Sequence, residues 1–343
     1  MMRAVVFHGP GDLRLVPTPM PSAGPGEIVV KIHTALTCGT DFKAYRQGHA
    51  VLLARTPSPF GHEMAGTVSQ LGAGVKDFEK GERVVVLNSA PCARCFFCEQ
   101  GTPELCDNLA LLNGAYAEYI SVPAHITRQN VLTLPQHLNF ATAALTEPFA
   151  CALHAVDKMR LSAGETIAVI GAGNMARLLI CALKAARARV LVLGRDPGRL
   201  QLALAAGADE VIDLTREIDG AAAVRRRTTD QRGADGVIEA VGKPETWVSS
   251  LGMVRKGGRV CLFGGCAAGA RAEFDAHQLH YDEIALFGVF HHRPAYARQA
   301  LELLSQGAVP PALLIDREIA LEDVVPFFAV NRSAPALKAA VVM

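Results

Sequence analysis

Neither sign of charge dominates this chain of 343 residues, in which Lys plus Arg number 34 and Asp plus Glu 33. So small an imbalance supplies no global field to hold nucleic acid, an anionic membrane or a highly charged partner, and it points to a small-molecule partner. No run of about 18 uncharged apolar residues occurs, and the opening Met1-Met2-Arg3-Ala4-Val5-Val6-Phe7-His8 lacks the apolar core of a secretion signal. The expectation is a soluble, cytoplasmic protein. No internal repeat or low-complexity block interrupts the chain. Its length and 50% hydrophobic content are enough for about two domains with a sizeable core.

The nine cysteines, an odd number, fit complete pairing poorly, and in a reducing compartment they stay thiols. Four of them fall within fifteen residues: Cys92, Cys95, Cys98 and Cys106 form C-x2-C-x2-C-x7-C. Four thiolates at that spacing can converge tetrahedrally on one zinc ion, and a site so filled has no open position for substrate. It holds a loop in shape. The alternatives are unliganded thiols or an iron–sulfur cluster, whose common ferredoxin spacings this run does not follow. A nucleic-acid or protein-binding zinc module is the non-enzyme reading. It lacks a basic surface, because the stretch from Cys92 to Asp107 carries one Arg against two Glu and one Asp.

Upstream, Cys38-Gly39-Thr40-Asp41 and Gly61-His62-Glu63 supply a thiolate, an imidazole and a carboxylate, the ligand mix of a catalytic zinc with room for an exchangeable oxygen. The second His of H-E-x-x-H is missing, since position 66 is Gly66, so a zinc-protease reading fails. Taken alone, Cys38 reads equally well as a small buried hydrophobe and His62 as a core histidine.

The first third carries short apolar runs, Ile28 to Ile32, Gly66 to Val68 and Arg83 to Leu87, separated by Gly- and Pro-containing turns, and is expected to be mainly β. From about Thr166, short apolar strands alternate with amphipathic segments, the signature of a parallel sheet wrapped by helices. The strands are expected at Thr166 to Ile170, Arg189 to Leu193, Glu210 to Ile212, Gly236 to Ala240, Gly258 to Phe263 and Ile284 to Val289. Helices are expected at Met175 to Ala186, Pro197 to Ala206, Pro244 to Val254 and Pro294 to Gln306, with Ala336 to Val342 a final strand or helix end. That tail is too short for a domain, so it is expected to pack on the first one.

Gly171-Ala172-Gly173, followed by Asn174, Met175 and Ala176, links the first of these strands to a helix, where a pyrophosphate can approach the backbone and the helix N-terminus. At the end of the second strand the acid that would accept from the ribose hydroxyls is absent, and Gly194 and Arg195 stand there instead. A guanidinium binds a 2′-phosphate, so NADP is the expected cofactor, with Arg199 on the following helix a further binding candidate. Asp196 leaves NAD open. Val241, Phe263 and Gly264 end later strands at the edge where ligands bind in such sheets.

Cys38-Gly-Thr-Asp41, Gly61-His-Glu-x-x-Gly66, the cysteine quartet, Gly114-Ala-Tyr-Ala-Glu-Tyr119, Glu147-Pro148 and Gly171-x-Gly173 resemble, in order and over nearly the whole chain, the zinc-containing medium-chain alcohol dehydrogenase superfamily. The sorbitol and threonine dehydrogenase branch is the most similar. The resemblance implies a Rossmann doubly wound sheet inserted in a mainly β, GroES-like catalytic domain: 1–150 catalytic, 151–289 nucleotide-binding, 290–343 returning to the first. It implies Cys38 and His62 as constant metal ligands, with Glu63, Glu147 or water completing the sphere, and Thr40 as a proton relay. Asp41 resembles the acid that fixes the tautomer of the metal-bound His. Glu147 reads alternatively as a helix cap, and Asp41 and Thr40 as turn residues.

A zinc-free quinone reductase is opposed by Cys38, His62 and the quartet. The activity implied is reversible oxidation of a secondary alcohol on a polyol, sugar derivative or hydroxy amino acid by NADP, or, alternatively, NAD-dependent L-threonine or sorbitol dehydrogenation. Threonine dehydrogenases typically carry a His five residues after the ligand Cys, and Lys43 stands there. Lys43 reads first as a solvent-facing lysine and alternatively as a binder of an electron-rich polyol or phosphate group, and His49, His291 and His292 are further pocket candidates, each expected to be non-catalytic. The resemblance also implies a homodimer or homotetramer paired through the strand Ile284 to Val289.

Overall fold

A computed structural model describes residues 1–49, 52–53, 55–331 and 338–343. The chain forms two compact units, one from Met1–Ala150, His292–Gly307 and Leu314–Met343, the other from Cys151–His291 and Ala308–Leu313.

The first unit is mainly β. Its largest sheet runs Val131–Thr133, Arg83–Val86, Glu63–Leu71, Ile28–Leu36, Ala339–Val342, Arg317–Ala320, with Tyr119–Val122 also paired to Ile28–Leu36. Register decides what meets at one end. Leu36 is opposite Glu63 and Ala340 opposite Leu36, so Cys38, Glu63 and the start of the last strand are gathered together from three distant stretches. Gly66 is required by the same pairing, because a Cβ there would lie 2.0 Å from the Lys31 carbonyl oxygen. No side chain, let alone a second ligand His, fits at that position. Beneath lies a core that includes Phe42, Phe60, Met64 and Phe328.

The second unit holds six parallel strands in the order Glu210–Asp213, Arg189–Gly194, Thr166–Ile170, Ala234–Glu239, Val254–Leu262, Ala285–Gly288. The chain starts in the middle and reverses direction of growth between Thr166–Ile170 and Ala234–Glu239, the switch point of a doubly wound sheet. Its strands are near-continuous apolar runs because helices cover both faces. The helix expected over Pro244 to Val254 stops at Ser250. Gly252 breaks the pattern and Val254 already begins the next strand, its apolar character serving the sheet. The tail is a strand, Ala339–Val342, while Ala336 and Leu337 lie outside the described residues. Among the described residues no helix is long and apolar enough to cross a membrane.

Candidate functional site

Cys38 caps the helix Gly39–Gln47, and His62 immediately precedes the strand Glu63–Leu71, which Glu63 opens and which pairs with Ile28–Leu36. Ligand atoms of Cys38, His62 and Glu63 all lie within 4.8 Å of one another. His62 and Glu63 are buried. Glu63 is fully so, and its Oε1 has no hydrogen-bond partner, an arrangement costly for a carboxylate unless a cation or a donor meets it. The other oxygen, Oε2, lies 2.5 Å from Nζ of Lys338, which also donates to the Thr37 carbonyl at 3.1 Å. Lys338 is 2% exposed, and although burial alone would lower its pKa, the Glu63 carboxylate holds it above the usual lysine value.

Asp41 closes the other side. Its Oδ2 accepts from the Cys38 backbone N–H at 3.0 Å and from the Tyr116 hydroxyl at 2.5 Å, and its Oδ1 is 3.0 Å from Nδ1 of His62. Burial lowers the pKa of His62, but Asp41 outweighs it and raises the value well above that of free imidazole. Gly61 makes room, since a Cβ there would sit 2.8 Å from the Tyr116 ring, and its φ of +91° favours glycine.

Glu147 falls outside this trio. It stands in the first turn of the helix Thr146–Lys158 and not before it, so it is no N-cap, and its carboxylate lies within 4.8 Å of a ring nitrogen of His292. Burial pushes its carboxyl up to about 7; Glu63 and Asp41 add to the shift, while His62 and Lys338 oppose it. His292 is buried, with Nε2 3.4 Å from Oδ1 of Asn88. His49 is partly buried and its Nδ1 accepts from Leu52 N–H, whereas Thr40 is half-buried and Lys43 exposed on the helix after Cys38.

The four loop cysteines also converge, all four sulfurs within 4.8 Å. The separations are 3.6 Å for Cys95 to Cys98 and 3.7 Å for Cys95 to Cys106. A tetrahedron with zinc–sulfur bonds of about 2.3 Å has edges of about 3.8 Å, so the thiols are already spaced for the ion. The Arg94 backbone N–H lowers the Cys92 thiol to about 6, whereas burial pushes Cys106 up to about 12.

In the second unit Gly171 adopts φ +109°, and a Cβ on it would come 3.1 Å from Cγ2 of Val241. Gly173 has open space around its Cβ direction and caps the helix Asn174–Ala185. Met175 follows in that helix, and the guanidinium of buried Arg177 contacts Oδ1 of Asn174. Glu239 ties the neighbouring turns down: its Oε1 accepts from Val241 and Gly242 N–H, and its carbonyl from Phe263 and Gly264 N–H. Gly194 ends its strand with no side chain, and an added Cβ would press on Leu200 at 3.0 Å and Ala172 at 3.2 Å. Asp196 accepts from Arg199 N–H as the N-cap of the helix Pro197–Ala205, beside exposed Arg195.

Residues 24–135 match the alcohol dehydrogenase GroES-like domain, and residues 175–306 match the zinc-binding dehydrogenase domain. The sorbitol dehydrogenase of Bacillus subtilis (strain 168) is 30% identical over 94% of this chain and 91% of its own length. The chain belongs to the zinc-containing medium-chain alcohol dehydrogenase superfamily. An L-threonine 3-dehydrogenase of Chelativorans sp. (strain BNC1) is 28% identical over 98% of each chain. A Sinorhizobium meliloti 1021 structure, assigned as a zinc-binding dehydrogenase and bound to NADP, superposes with a TM-score of 0.89 at 29% identity, covering 100% of this chain and 99% of that one.

As a member of this superfamily the protein is a zinc-dependent, nicotinamide-using oxidoreductase acting on CH–OH groups. Its donor sets fit the metal: one closed set of four thiols, and one mixed set in which a buried carboxylate oxygen is left without a partner. Lys338, Tyr116, Asn88 and Arg177 carry much of this geometry without having been singled out from the sequence. Tyr116 lies within the Gly114-Ala-Tyr-Ala-Glu-Tyr119 motif. Lys338 offered only the faint signal of a lone charge in an apolar tail.

Proposed function

We propose that the dehydrogenase interconverts a secondary alcohol on a polyol, sugar derivative or hydroxy amino acid and the matching ketone, using NADP. Cys38, His62 and Glu63 hold the catalytic zinc, Cys92, Cys95, Cys98 and Cys106 the structural one. The observation that carries the catalytic assignment is the convergence of the first three on a buried, half-unpartnered Glu63. When bound, zinc supplies Lewis acidity that brings a hydroxyl's pKa toward neutrality, and the nicotinamide ring accepts the hydride.

The chain's own groups do the rest. Asp41 orients His62 through Nδ1, leaving the other ring nitrogen to the metal. Lys338 adds one positive charge to a set whose thiolate and carboxylate already balance a divalent cation, which favours negative charge on the reacting oxygen. Thr40 Oγ1 passes the hydroxyl proton toward solvent. Glu147, buried and outside the trio, is read as a neighbour of the substrate and not as a constant ligand.

NADP is favoured because Gly194 offers no acid to repel a 2′-phosphate and exposed Arg195 stands beside it, while Asp196 caps its helix through Oδ1 and lies 3.8 Å through Oδ2 from Nε of Arg199, the second candidate for the phosphate. Sorbitol and L-threonine are the substrates in the names of the relatives above; exposed Lys43, in place of the threonine branch's His, favours the polyol side. Binding of both nicotinamides, followed by a panel of polyols, aminocyclitols, sugar acids and L-threonine, tests the reading. Tighter binding of NAD than NADP overturns the cofactor assignment, and inertness toward the whole panel with both metals bound overturns the activity. The protein is further read as a cytoplasmic homodimer or homotetramer joined along the edge strand Ala285–Gly288; sedimentation at the mass of one chain refutes that assembly.

A further inference from the structure

Tyr116 is fully buried, and its hydroxyl has two acceptors in reach, Oδ2 of Asp41 at 2.5 Å and the Leu36 carbonyl at 3.2 Å. A phenol has a single proton to give, and a carboxylate is the stronger acceptor. The hydroxyl therefore donates to Asp41. The ring is itself fixed: Gly61 lies against its face, Phe60 and Phe328 pack around it with centroids 5.9 and 6.1 Å away, and its backbone N–H donates to the Phe60 carbonyl. Asp41 has two oxygens and three neighbours. Cys38 N–H and Tyr116 share Oδ2, so Oδ1 alone faces His62.

We propose that Tyr116 is a positioning residue for the mixed-donor metal site: by holding Oδ2 it fixes the rotation of the Asp41 carboxylate, so that Oδ1 stays on Nδ1 of His62 and the other ring nitrogen stays aimed at the cation. The inference rests on the assignment of Cys38, His62 and Glu63 as metal ligands. Without the hydroxyl, one N–H from Cys38 remains to restrain the carboxylate, and the imidazole gains freedom to turn. Direct partners of ligating histidines are typically worth roughly 10- to 100-fold in metal affinity, so a group one bond further out is worth about three- to tenfold.

The same unit holds an internal control in the cysteine quartet. Tyr116→Phe keeps the ring and removes only the hydroxyl. Wild type and variant, each loaded with zinc, are challenged with a chelator while the metal remaining per chain is followed, and the mixed site is loaded with cobalt(II) so that its visible absorption reports ligand geometry. The expected result is loss from the mixed site about three- to tenfold faster in the variant, with an altered cobalt spectrum and an unchanged rate at the quartet. In the background of Asp41→Asn, the same change adds little, because the hydroxyl acts through that carboxylate.

Equal rates and spectra in wild type and Tyr116→Phe overturn the inference alone. Faster loss from both sites by the same factor also overturns it, since that reports a loosened fold. A wild-type chain that binds metal only at the quartet overturns the ligand assignment, and this inference with it.

Discussion

Cys92, Cys95, Cys98 and Cys106 come from fifteen consecutive residues, whereas Cys38, His62 and Glu63 meet only after two strands have paired and Lys338 has returned from the far end of the chain. The quartet is half-buried apart from buried Cys106, and its chemistry is set by local N–H groups. The mixed site is buried and surrounded by charge: Asp41, Glu147 and Lys338 all stand near it. A local closed set suits a metal that holds a loop. A set of three donors assembled from distant segments leaves a fourth position where a ligand can exchange while the fold supports the rest. Even the quartet is not wholly local, because buried Glu104 within its loop meets Arg293 through two contacts of 2.7 Å.

The strongest way to break this contrast is to remove one ligand from each set. His62→Ala and Cys95→Ser are each expected to leave one zinc per chain in place of two. Removing the Lewis acid forfeits several kcal/mol of transition-state stabilisation, so His62→Ala loses about 10³-fold or more in kcat/KM, while Cys95→Ser stays within about an order of magnitude of wild type and loses thermal stability. Metal content and steady-state kinetics on both variants decide it. If Cys95→Ser is as inactive as His62→Ala while still folded, the division of labour is wrong.

A smaller effect separates the sites by their dependence on the far end of the chain. With the mixed-site metal removed, Lys338→Met leaves Glu63 as an uncompensated buried charge and is expected to cost about 3–5 kcal/mol in unfolding free energy, with most of it recovered in the double variant Lys338→Met with Glu63→Leu. Urea denaturation measures both. A loss below about 1 kcal/mol, typical of exposed pairs, would show that the pair is solvated in the protein.

Legibility in the sequence follows the same line. The quartet's spacing is a local signal and needs no fold. The parallel sheet was readable from alternating apolar runs, and the one overlong helix, Pro244 to Val254, arose because apolar residues of a turn and the next strand continued its rhythm. Cys38 and His62 became informative through the order of motifs along the chain. Lys338 stayed hidden because its partner lies 275 residues away, and an ion pair between distant strands leaves no periodicity to read. Tyr116 was visible as part of a motif, but its purpose depends on the close approach of Gly61 and on Asp41 dividing its two oxygens between His62 and the Cys38 and Tyr116 donors.

The smallest effect expected concerns Glu147, a buried carboxylate outside the mixed site. Burial raises its carboxyl to about 7, above the usual value near 4.5, so between those pH values the folded chain binds a proton that the unfolded chain has released. Stability therefore falls as pH rises through that window and stays lower above it. Glu147→Gln cannot ionise, and with the mixed-site metal removed it should gain stability over wild type from about pH 5 upward, the gap growing until just above pH 7. Urea midpoints across pH 4.5 to 8 measure the gap. A constant difference between the two proteins means that Glu147 titrates as an ordinary carboxylate, and its separation from the three ligands would then have to be drawn on geometry alone.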